Sequence, residues 1–142
     1  MKKWYLIKTK PRQEKKAKQN LENQGYVAFY PITKINNKLV ILFPSYLFVQ
    51  LNEKTQNFSP IHSTQGVSYF VKFGLNLAKV PTSVIELIKT NQHITADKLK
   101  DLNKFKPGDK VQISDGALKS YMAIFKSYKP DERVVLLINL LG

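Results

Sequence analysis

The chain has 142 residues, 43% of them hydrophobic and 23% charged, which suits one domain with a small appendage and excludes intrinsic disorder as its overall state. Lysine and arginine total 23 against 10 acidic residues; the net charge of +13 points to a polyanionic partner, nucleic acid or a membrane surface, and says nothing about fold. There is no cysteine, which excludes disulfides, thiolate metal sites and cysteine nucleophiles and fits a reducing compartment.

Only Arg12 and Arg133 are arginines, so phosphate contact is expected through lysine point charges, with little bidentate reading of bases. No apolar signal region follows Met1-Lys2-Lys3, and no window approaches the ~18 apolar residues of a spanning helix, so a cytoplasmic, monomeric protein is expected.

Trp4-Tyr5-Leu6-Ile7 reads as a buried strand. Pro11 suits the first turn of a helix over Arg12–Gln24, with Gly25 as its stop. That helix has a thin apolar stripe, Ala17 and Leu21, and a solvated face with Arg12, Lys15, Lys16 and Lys18. Tyr26–Tyr30 reads as a second strand, and 33–42 as a hairpin with Asn36-Asn37 at its tip. Tyr46-Leu47-Phe48-Val49 is a stronger strand; a polar stretch follows, running into a short helix before Gly66, and Val67–Phe73 reads as a strand closed by Gly74. Pro81 and Ser83 open another helix, with Ser83 and Glu86 at capping-box spacing. The Lys-rich run 91–106 reads as a linker, with a boundary near residue 100.

Beyond Pro107 the pattern is ambiguous. Residues 109–113 alternate like a strand, whereas Leu118, Tyr121, Met122 and Phe125, and then Val134, Leu137, Ile138 and Leu141, have helical spacing. Two helices over 117–128 and 132–141, turning at Pro130-Asp131 with Asp131 as cap, are favoured over an incomplete barrel.

Several motifs resemble the NusG family. They are Trp4-Tyr5-Leu6, Leu42–Val49, Gly66–Val71 and Val80-Pro81, followed by Pro107-Gly108-Asp109-Lys110-Val111, which is similar to the opening of a KOW motif. Over nearly its whole length the chain is similar to the specialised RfaH-type branch of that family. The resemblance implies an α+β N-terminal domain over 1–100, an antiparallel sheet flanked by helices, then a linker over 101–106 and a KOW-derived segment over 107–142. It implies a transcription elongation and antitermination factor with no cofactor or metal. The expected partners are the clamp helices of the largest RNA polymerase subunit, the non-template DNA strand and, through the C-terminal segment, the small ribosomal subunit.

By the same resemblance Phe43, Tyr46, Phe48 and Phe73 form the polymerase-binding pocket. Lys10, Asn20, Thr64 and Gln65 face nucleic acid by that resemblance, and the charge run with Arg12, Lys15 and Lys16 in a chain of net charge +13 points to the same face. Tyr121, Phe125, Leu137 and Leu141 would lie on the N-terminal domain and cover the pocket. Asn23 and Gln65 stand where the RfaH-type pattern has arginine, which predicts weaker sequence preference. Asn57 and Ser59 retain only the polar character of a loop that touches the polymerase's second large subunit. Val40 stands where a glutamate would pair with Arg133, so that lock is expected to be absent. The bland readings are an aromatic core, a solvated basic face and a surface loop. His62 and His93 are isolated and no carboxylate pair has catalytic spacing, so an enzyme is not expected. The alternative is a free-standing KOW-type RNA-binding module.

Overall fold

The computed structural model describes residues 2–35, 37–91 and 129–141. Its centre is the strand β1 (Lys2–Thr9), whose run Trp4-Tyr5-Leu6-Ile7 is buried on both faces. β1 pairs antiparallel with β5 (Tyr46–Asn52) on one side, Leu6 opposite Phe48, and with β6 (Val67–Phe70) on the other. β2 (Val27–Phe29) continues the sheet beyond β5, giving the order β2-β5-β1-β6.

The remaining strands are short. β3 (Ile32–Ile35) and β4 (Lys38–Ile41) form a hairpin in which Ile35 faces Lys38 and Asn37 has φ 65°, as expected of Asn at a two-residue turn. The span expected as one strand from Val67 to Phe73 is broken instead. β6 ends at Phe70, and the Val71 N–H donates to the carbonyl of Leu6. A small hairpin of β7 (Lys72–Phe73) and β8 (Asn76–Leu77) follows, and β9 (Lys79–Val80) returns to pair with β1.

Four helices accompany the strands among the described residues: α1 (Glu14–Asn23), α2 (Ser59–His62), α3 (Thr82–Asn91) and α4 (Pro130–Leu141). The architecture is α+β with antiparallel sheets and a C-terminal helix. α1 ends in a Schellman arrangement: Tyr26 N–H bonds the Leu21 carbonyl, Gly25 N–H bonds that of Glu22, and Gly25 has φ 92°. Three starts differ from the sequence expectation. α1 begins at Glu14 because Pro11 sits in a preceding turn. α3 begins at Thr82, which puts Ser83 inside the first turn and not at the cap. α4 begins at Pro130, so Asp131 lies in the first turn, where its charge suits the helix dipole.

Contacts divide the chain into two units, Met1–Tyr30 with Pro44–Val84, and Pro31–Phe43 with Ile85–Gly142. The first holds the main sheet. Its core sets Tyr5, Ile7, Leu47, Val49 and Leu51 against Ala17 and Leu21 of α1, with Ile61 and Val67. The second contains the β3–β4 hairpin and α4. The expected linker 101–106, the KOW-like start 107–116 and the helix expected over 117–128, with Tyr121 and Phe125, lie outside the described residues.

At the edge of the core the Tyr5 hydroxyl donates to Glu53 Oε1. Burial, then that carboxylate, push the Tyr5 phenol above its ordinary value, while the hydrogen bond from Tyr5, helped by Lys3 and Lys79, holds Glu53 below its own. A carboxyl depressed in the folded state contributes stability above its unfolded pKa, about 4.3, and loses it as pH falls through the folded value. Carboxyl NMR titration is therefore expected to place the Glu53 midpoint below that figure. Tyr5→Phe should return it toward 4.3, and Glu53→Gln should flatten the acid limb of stability against pH.

Candidate functional site

The turn after β1 presents the first cations. Gln13 N–H bonds the Lys10 carbonyl at 3.0 Å across Pro11 and Arg12, and Arg12 has φ 62°. A positive φ at this third position normally calls for glycine, so an arginine there carries backbone strain of about 1–2 kcal/mol. Lys10, Arg12, Lys15 and Lys16 are all exposed. Lys18 is engaged with Glu22 at 2.5 Å. Glu14, at the start of α1, is buried and accepts the Ser45 N–H at 3.1 Å, which braces the turn into β5 against the helix.

The loop from α2 to β6 is stitched to this surface. Lys10 N–H donates to the Gly66 carbonyl at 2.9 Å, and Asn20 Nδ2 donates to the Gln65 carbonyl at 3.1 Å. Gln24 Nε2 donates to Thr64 Oγ1 at 2.8 Å, and that hydroxyl donates to the Pro60 carbonyl at 2.7 Å. Sequence-distant Lys10, Asn20 and Gln65 thus meet beside the basic start of α1. Gln65 is exposed, but Thr64 is buried and its hydroxyl is spent inside the loop, so it holds the loop's shape and does not face outward as expected. Gln24, which was not singled out from sequence, performs the stitching; only its position one turn beyond Asn20 hints at it.

The four aromatic residues expected to form a pocket are mostly inside the protein. Phe43 and Phe48 are fully buried, Tyr46 nearly so, and only Phe73 is half-exposed. Tyr46 and Phe48 lie at the covered end of their face of β5, which grades into the half-buried Gln50 and Asn52, whereas Leu47, Val49 and Leu51 bury the whole opposite face. Phe48 stacks on Phe29 at 6.1 Å, and Lys8 Nζ lies 4.8 Å from the centre of the Tyr46 ring. Phe43 belongs to the second unit and adjoins Leu42, whose carbonyl accepts a 2.8 Å hydrogen bond from Arg133 Nε on α4. Arg133 is buried, and burial lowers its pKa. Leu137 is fully buried and Leu141 half-buried on the same helix.

The family model described as "Transcription termination factor nusG" matches residues 2–89. The chain belongs to the NusG family. Two curated relatives, each named "Transcription termination/antitermination protein NusG", align over almost all of it. That of Chlamydia trachomatis is 24% identical, over 99% of this chain and 86% of its own length. That of Thermus thermophilus is 23% identical, over 98% of this chain and 90% of its own. A solved chain described as "Domain interaction in Thermotoga maritima NusG" is 27% identical, with a TM-score of 0.49 over 62% of this chain and 55% of that one. The span matched to the NusG family contains every residue of the basic surface and all four aromatics; α4 lies beyond it.

Proposed function

We propose that this NusG-family protein is an RfaH-type elongation and antitermination factor. Tyr46, Phe48, Phe43 and Phe73 bind the clamp helices of the largest RNA polymerase subunit. Lys10, Arg12, Lys15, Lys16, Asn20 and Gln65 hold the exposed non-template strand, and the two contacts together suppress pausing and termination. The observation that supports this most is the gathering of Lys10, Asn20 and Gln65 beside the cationic start of α1 in a chain whose net charge is +13. Sequence-independent phosphate contact needs such a surface, and a lysine-dominated one binds with little base preference.

The aromatic contact requires that buried rings be uncovered first. α4 is anchored at Leu42, next to Phe43, within the second unit. The C-terminal segment 107–142 would then act as a cover and, once released, as a recruiter of the small ribosomal subunit.

A pull-down with core RNA polymerase tests the reading. Wild-type protein is expected to form a stable complex, and Tyr46→Ala with Phe73→Ala to lose it by at least tenfold while single-stranded DNA affinity stays within about twofold, since a few anchors dominate interface energy. An unaltered pull-down would refute the aromatic contact.

A further inference from the structure

Successive residues of β1 point to opposite faces of the main sheet. Tyr5 and Ile7 pack with Ala17 and Leu21 of α1, so Lys8 leaves the other face, away from that helix. Residues directly opposed on antiparallel strands share a face, with Cβ atoms about 4.5–5.5 Å apart. Lys8 is opposed by Tyr46 of β5 on one side and by Tyr69 of β6 on the other. The three form a row across the sheet, a cation between two phenols, and all belong to the first unit. Lys8 Nζ lies 4.8 Å from the centre of the Tyr46 ring, a contact that orients the ammonium without neutralising it. Among the described residues Lys8 has no carboxylate partner; the ion pairs there are Lys18 with Glu22 and Lys129 with Glu132. Among the same residues neither the Tyr46 nor the Tyr69 hydroxyl has a hydrogen-bond partner. Lys8 is half-buried and Tyr69 is 51% exposed, whereas Phe48, two positions beyond Tyr46, is fully buried. The row is therefore open to a partner where Phe48 is not.

An oriented cation between two free O–H donors suits an anion, the lysine supplying charge and the phenols direction. We propose that Lys8, with Tyr46 and Tyr69, is a carboxylate-binding site for an Asp or Glu side chain that the polymerase presents beside its apolar contacts. This rests on the reading of Tyr46 as a polymerase contact and adds a charge requirement to it. Two features favour a protein carboxylate over a nucleic-acid phosphate. Arg12, Lys15 and Lys16 gather at the start of α1, which packs on the opposite face of the sheet. Both cross-strand neighbours of Lys8 are tyrosines, a residue enriched in protein–protein interfaces.

The test titrates the full chain with core RNA polymerase across a salt series. Lys8→Met keeps the apolar stem over the Tyr46 ring and removes the charge. It is expected to weaken the complex about tenfold at low salt. The difference should narrow as salt rises, because screening weakens the wild-type ion pair. A merely structural role would lower affinity alike at every salt concentration. Lys8→Arg should bind within about threefold of wild type, since it keeps the charge. Tyr69→Phe should lose about threefold, having lost one neutral donor. Binding of labelled oligothymidylate should stay within about twofold in all three variants, because the cations of α1 lie on the other face. A Lys8→Met protein that binds polymerase as wild type does overturns the site and leaves the polymerase reading standing. A loss that is the same at all salt concentrations, or that Lys8→Arg shares in full, overturns it as well. If Lys8→Met weakens oligothymidylate as much as polymerase, the anion is a phosphate and the carboxylate assignment fails. A wild-type protein that forms no polymerase complex refutes the reading beneath the site, and the site with it.

Discussion

Gly66→Ala is expected to destabilise the protein by about 3–4 kcal/mol, close to a 10 °C fall in thermal midpoint for a chain of this size. Two costs combine. Gly66 has φ 98°, where an L side chain is strained by about 1–3 kcal/mol. A Cβ there would also meet the Ala17 backbone N at 3.0 Å and its Cα at 3.1 Å. Those atoms belong to a helix and cannot rotate aside, so α1 must move, at the cost typical of overpacking, about 1–3 kcal/mol. The displacement would strike the basic surface directly, because Lys10 N–H bonds the Gly66 carbonyl and Asn20 bonds that of Gln65. Calorimetry and DNA titration on the same sample would check both effects. A midpoint within about 2 °C of wild type would show that the loop and α1 part without penalty.

Arg133→Met comes next in size. It keeps the length and most of the apolar stem of the side chain but removes the donor to the Leu42 carbonyl. A buried hydrogen bond from a charged group contributes about 1.5–3 kcal/mol. Leu137 is the other fully buried side chain of α4, so the loss should appear there first. Amides of α4 are expected to exchange with solvent about 10- to 100-fold faster, with β1 unchanged. Arg133→Lys should recover only part of the protection, since an ammonium cannot reproduce the guanidinium geometry. On the proposed function the same Arg133→Met protein captures core polymerase more readily than wild type. Unaltered exchange in α4 would show that the helix does not depend on this bond.

Much of the fold was legible residue by residue. Trp4-Tyr5-Leu6-Ile7 and Tyr46-Leu47-Phe48-Val49 are strands, Asn36-Asn37 marks a hairpin, Gly25 stops α1, and Leu137 lies on a buried helical stripe. These depend on local periodicity and on conformations few residue types adopt. The helix starts were misplaced because Pro11 and Ser83 suit either a turn or a first helical turn, and residue type alone does not say which; the local bonds from Gln13 N–H to the Lys10 carbonyl and from Val84 N–H to the Pro81 carbonyl do. Thr64 could not be read as an inward-facing residue, because what claims its hydroxyl is Gln24, 40 positions earlier.

The sequence by itself determined the cationic character of the protein, its α+β pattern and the residues available for contact, since charge, hydropathy and turn chemistry belong to individual side chains. Only the tertiary structure decided which of them share a surface and which are hidden. Lys10, Asn20 and Gln65 become neighbours through backbone carbonyls, and Phe48 is withdrawn from solvent by packing on its face of the sheet, where Phe29 stacks on it. Arg133 finds Leu42 across 91 positions. Carbonyl groups are the same in every residue and leave no mark on the one-dimensional pattern, so long-range docking of this kind is settled by packing alone.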